Sequence, residues 1–112
     1  MKQSKQSQIE QMQLFEQNAQ NFLMQKQQQQ TKLLEIENAY DELKKSKDQV
    51  YKIVGPVMIQ SNKVDLTKEL DVKKEMIELR IKSIEKQENL IKQKIQDLQK
   101  EVLKETDHDK TQ

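Results

Sequence analysis

Cysteine is absent from the chain, so neither a disulfide framework nor a thiolate metal site can be built. Glycine and proline occur once each, tryptophan not at all, and Phe and Tyr together make up 4% of the 112 residues. A chain so poor in glycine and proline suits long exposed helices better than a loop-rich enzyme, and 33% hydrophobic residues leave little material for a globular core. No charge of one sign dominates. The net charge is +1; residues 1–49 carry seven Lys and seven acidic residues, and residues 61–105 carry eleven basic and ten acidic ones. With so few stacking aromatics, this balance argues against a nucleic-acid partner, and the doublets Lys44-Lys45 and Lys73-Lys74 read as solvated faces. No run approaches the roughly 20 apolar residues of a membrane span. The start, Met1-Lys2-Gln3-Ser4-Lys5, leads into glutamines instead of an apolar stretch, so the expectation is a soluble, cytoplasmic protein with no membrane partner.

Catalytic constellations are missing as well. The single histidine, His108, lies between Asp107 and Asp109 in a segment expected to be a tail, without a second histidine to complete a metal site or orient a base. There is no glycine-rich phosphate loop and no nucleophile motif. Paired carboxylates such as Glu35 and Glu37 are what an acidic, helix-rich chain shows by composition. The expectation is a protein that is not an enzyme and uses no cofactor.

Charged residues, by contrast, make up 35% of the chain, and apolar residues recur among them every three or four positions. In the first arm the spacing runs through Met12, Phe15, Ala19, Phe22, Lys26, Gln29, Leu33, Ile36, Tyr40 and Leu43. In the second it runs through Leu70, Lys74, Ile77, Ile81, Ile84, Glu88, Ile91, Ile95, Leu98 and Val102. Both are heptad patterns. Leu14, Leu23 and Leu34 widen the face beside the first seam, and Lys26 and Gln29 interrupt it near the run Gln27-Gln28-Gln29-Gln30. Ser61, Asn62 and Asp65 are the candidate N-caps of the second helix.

Between the arms lies a short island, Val50-Tyr51-Lys52-Ile53-Val54-Gly55-Pro56-Val57-Met58-Ile59, in which Lys52 is the only charge. Its β-branched and aromatic residues read as two strands, and Gly55-Pro56 punctuates them. The predicted fold class is mainly α: a long antiparallel two-helix coiled coil with a central β-hairpin. The expected boundaries are a helix over 5–47, a hairpin over 50–60, a helix over 65–105 and a flexible tail over 106–112. A parallel homodimeric rod is the competing arrangement. A lone hairpin with apolar residues on both faces and two open edges is marginal in water, so it is expected to pair with hairpins of other subunits. The rival expectation is that it packs back on the stem.

The island together with its heptad arms resembles the beta class of prefoldin subunits over about residues 9–105, and its Gly55-Pro56-Val57 version is most similar to the eukaryotic subunit 6 type. That resemblance implies a hetero-hexamer of two alpha-class and four beta-class subunits joined through their hairpins. Here Val50, Tyr51, Ile53, Val54, Gly55, Pro56, Val57, Met58 and Ile59 would be the oligomerisation residues. It also implies ATP-independent capture of unfolded proteins, actin and tubulin among them, and their delivery to the cytosolic chaperonin. The client-binding positions would be the arm ends, Ile9, Met12, Leu14 and Phe15 opposite Leu98, Val102 and Leu103. The alternative function is a structural scaffold or tether whose coiled coil recruits one folded helical partner.

Overall fold

The structure is a computed structural model that describes residues 4–47 and 49–110, with side chains described through Lys104. Four elements follow in order: helix α1 (Lys5–Lys45), strand β1 (Gln49–Val54), strand β2 (Val57–Asn62) and helix α2 (Lys63–Lys110). They form a mainly α architecture, an antiparallel two-helix coiled coil joined by one antiparallel β-hairpin. The second helix runs to Lys110, past the expected end at 105, because loss of the apolar repeat removes packing but no glycine or proline follows Glu105 to stop the helix. Thr111 and Gln112, the remainder of the expected tail, lie outside the described residues, as do the side chains of Asp107, His108 and Asp109.

Each helix starts on a side-chain cap. Ser4 accepts the Ser7 N–H on its Oγ at 3.2 Å, and its carbonyl accepts the Gln8 N–H at 3.0 Å. Of the three candidates for α2, Asn62 is the cap: its Oδ1 accepts the Asp65 N–H at 2.8 Å, while its Nδ2 donates to Asp65 Oδ2 at 2.9 Å. This reciprocal arrangement satisfies one orphan amide and places a carboxylate at the positive end of the helix. At the other end of α1, Ser46 closes the last turn, donating from its amide to the Glu42 and Leu43 carbonyls and from its Oγ to Leu43 O.

The chain divides into two compact units. In the unit Gln27–Lys82, α1 and α2 meet through Leu33, Ile36, Tyr40 and Leu43 on one side and Leu66, Leu70, Ile77 and Ile81 on the other, all half-buried or buried. Polar contacts set the register here. Tyr40 donates a hydrogen bond to Asp71, Lys74 Nζ lies 3.3 Å from Glu37 Oε1, and the same ammonium sits 5.9 Å from the centre of the Tyr40 ring. The Asp71 carboxylate holds the Tyr40 phenol in its protonated form and pushes its pKa up to about 12. In the unit Met1–Lys26 with Ser83–Gln112, the facing positions are Met12, Phe15, Ala19 and Phe22 against Ile84, Ile91, Ile95 and Leu98. Lys26 and Glu88 form an ion pair at 2.9 Å in the seam, and Lys94 Nζ lies 5.9 Å from the Phe15 ring centre.

Every seam position named from spacing is half-buried or buried, and the seam continues beyond both expected ends, to Gln8 on α1 and Leu66 on α2. Leu14, Leu23 and Leu34 depart from expectation. They are exposed, because a two-helix seam covers only the narrow a/d stripe and leaves its flanks in water.

Candidate interaction surfaces

The hairpin is built by its turn. Gly55 has φ +59°, and Pro56 takes a negative φ after it, which is the sign pattern of a two-residue type II′ loop whose twist matches the paired strands. The register runs from Gln49 opposite Asn62 to Val54 opposite Val57. Side chains alternate across the ribbon, so Val50, Lys52, Val54, Val57, Ile59 and Ser61 share one face, while Tyr51, Ile53, Met58 and Gln60 share the other.

The first face carries the hairpin's attachment to the stem. Val50, Lys52 and Ser61 are half-buried, and Lys52 Nζ reaches Glu69 Oε1 of α2 at 2.7 Å. A cavity of about 610 Å³ lies between β1 and the roots of the two helices, with Leu43, Val50, Leu66 and Leu70 in its walls. Thus Val50, expected to serve oligomerisation, is partly used within the chain, and Lys52, whose role sequence reasoning missed, ties the strand to the helix. A lone cation in an apolar strand was the available signal. The other face is open throughout: Ile53 is 74% and Met58 65% exposed, and Tyr51 is exposed beside them. Val54, Val57 and Ile59 are exposed on the first face, so apolar side chains face solvent on both sides, with Gly55 and Pro56 at the tip. A two-stranded sheet also leaves the outer edge of each strand without a ladder partner.

The helix ends form the second surface, and they split the expected client-binding residues into three groups. Ile9, Leu14 and Leu103 are exposed; Met12, Phe15 and Val102 are half-buried; Leu98 is buried in the seam. In this closed arrangement heptad spacing places Met12, Phe15, Leu98 and Val102 toward the seam, while Ile9, Leu14 and Leu103 face solvent. Gln8, one turn before Met12, is 2% exposed.

Among the described residues no group of three or more His, Cys, Asp or Glu is placed to hold a metal, and no helix is long and apolar enough to cross a membrane.

Two heptad helices running antiparallel from one exposed hairpin define a class of helical-hairpin proteins that act through contact surfaces. A family model described as prefoldin subunit matches residues 6–107. The prefoldin subunit beta of Methanospirillum hungatei is 38% identical over 108 residues, covering 95% of this chain and 90% of that protein. That of Methanococcoides burtonii is 39% identical over 99 residues, covering 87% and 85%. The crystal structure of the prefoldin beta subunit from Thermococcus strain KS-1 superposes with a TM-score of 0.81 at 31% identity, covering 87% of each chain. The chain belongs to the prefoldin subunit family, in its beta class. It is a non-catalytic chaperone subunit of a multi-subunit complex, with unfolded-protein binding as its activity.

Proposed function

We propose that this chain is a beta-class member of a cytoplasmic prefoldin hetero-hexamer of two alpha-class and four beta-class subunits, which holds unfolded proteins without ATP and passes them to the cytosolic chaperonin. The observation that carries the assembly is the hairpin. Ile53, Met58, Val54 and Val57 expose apolar surface on both faces of a ribbon whose outer edges are open, and a small sheet in that state gains most from pairing with its like. Clients are held at the helix ends, where Ile9, Leu14 and Leu103 are exposed and Met12, Phe15, Leu98 and Val102 lie in or beside the terminal seam. Several weak contacts from separate subunits would add avidity while still permitting release.

Within the class we assign the chain to the eukaryotic subunit 6 type on Gly55-Pro56-Val57, which makes actin and tubulin its expected clients; the archaeal relatives support the beta class alone. Binding of denatured actin and tubulin by the complex purified from its own source tests this, and a complex that holds other unfolded proteins but neither of these would rule it out.

The test of function is aggregation prevention by the reconstituted complex with denatured actin or tubulin, repeated after removal of residues 1–15 and 98–112 of this subunit. The intact complex is expected to suppress aggregation and the truncated one to lose much of that effect. A complex that binds no unfolded protein refutes the holding role, and undiminished capture after truncation refutes the role of these ends.

The scaffold or tether reading draws on a different observation. Val72, Met76 and Leu79 are exposed at four- and three-residue spacing on the face of α2 opposite the seam, as a helix-binding stripe would be. Replacing all three with Gln leaves client capture intact under the chaperone reading and abolishes recruitment of a folded partner under the other.

A further inference from the structure

We propose that Gln8 is a built-in opening point of the client-binding end: a polar residue in the terminal seam that lets the two helices part there and uncover seam side chains. This rests on the holding role proposed above and specifies how its site is controlled.

Gln8 continues the four-three spacing of Met12, Phe15, Ala19 and Phe22 backwards by one step, so it occupies a position that packing would give to Leu or Ile. The Phe15–Lys94 contact fixes the antiparallel level of the two helices at this end, and one heptad further along brings Gln8 to the level of Glu101 and Val102. Gln8 is 2% exposed, yet its Oε1 has no hydrogen-bond partner among the described residues. A carbonyl oxygen taken from water without replacement costs stability only while the seam is closed, because on opening it is hydrated again. The penalty thus acts on the closed state alone, at the end where there is least apolar burial to resist it. Ser4 caps the first turn of α1, with the Ser7 N–H on its Oγ and the Gln8 N–H on its carbonyl, so the first break favoured here is helix from helix.

What opening would uncover is Leu98, buried in the seam, with Met12, Phe15 and Val102, which are half-covered. In the closed state only Ile9, Leu14 and Leu103 of the expected client contacts are exposed. Gln29 offers an internal control, because its Oε1 is also buried without a partner but lies in the other unit of the chain, away from the end.

The experiment compares Gln8→Leu and Gln29→Leu with the wild-type chain, each installed in every copy of this subunit in the reconstituted complex. Hydrogen exchange is followed by mass spectrometry over residues 5–15 and 95–104, since terminal turns parted from their partner lose the seam packing that protects their amides from fraying. Gln8→Leu is expected to slow exchange in both segments about tenfold, as removal of one buried orphan acceptor implies. It is also expected to lower capture of denatured client by about twofold or more, given that several arms share the load. Gln29→Leu should change neither. The direction is diagnostic: were capture a matter of apolar content at the end, Gln8→Leu would raise it. Unchanged exchange in Gln8→Leu overturns the inference, and so does slowed exchange with capture undiminished. Failure of the wild-type complex to hold any client overturns the holding role and this inference together, whereas failure confined to the variant comparison leaves the holding role standing.

Discussion

Gly55 bears the tightest conformational demand in the chain. Its φ of +59° is open to glycine and costly to residues with a Cβ, while a Cβ built there would meet nothing within 4 Å. The expected loss for Gly55→Ala is therefore a backbone effect alone, about 1–2 kcal/mol against the hairpin. It should appear as a lowered melting temperature of the assembled complex with the helical circular dichroism of the arms retained. Tyr40 offers a second residue-level test. Its hydrogen bond to Asp71 raises the folded pKa from 10.0 to about 12, so the stabilisation it brings is fully present below pH 10 and is lost as pH rises from 10 through about 12. In a Tyr51→Phe background, the phenolate absorbance of Tyr40 should titrate near the upper value, and Asp71→Asn should bring it back towards 10.

At the scale of the elements, the two helices are specified by a narrow stripe and interrupted by polar residues within it. Lys26 and Glu88 pair at 2.9 Å with roughly a quarter of each side chain exposed, so desolvation offsets much of their attraction. Glu88→Gln should cost about 1 kcal/mol. Replacing both members with Leu should raise the melting temperature, because apolar seam packing then replaces a partly desolvated pair. Thermal unfolding of the single and double variants measures both, and a double variant less stable than the single would refute the account. Asn62 is the cap that hands the chain from β2 to α2, and Asn62→Ala should lower stability by about 1 kcal/mol through loss of its bond to the Asp65 amide.

For the molecule as a whole, the hairpin is the surface that a partner would cover. Ile53 and Val57 lie on opposite faces of the ribbon and both are exposed, so a charge at either tests whether that face is buried on assembly. Ile53→Asp and Val57→Asp should each reduce the complex to smaller species by native mass spectrometry while coiled-coil helicity persists, since an unpaired carboxylate would be carried into the interface. If only one of them does so, the unaffected face points to solvent in the assembly.

Much of this architecture is legible in residue order because a heptad seam is a local property. Spacing alone placed Met12 through Leu43 and Leu70 through Val102 on the buried stripes, and Gly55-Pro56 could only be a turn between β-branched runs. Three features were not legible, each for a reason of partnership. Gln8 is buried although it is polar, because its place in the seam depends on what packs around it and not on its own hydropathy. Asn62 is the cap in preference to Ser61 or Asp65 because pairing with Gln49 extends β2 to that residue and starts the helix immediately after it. Leu14, Leu23 and Leu34 stay in water although they are apolar, because one neighbouring helix can cover no more than a stripe. Periodicity says which side chains lie on a common line; coverage and hydrogen-bond satisfaction depend on the second element brought against that line.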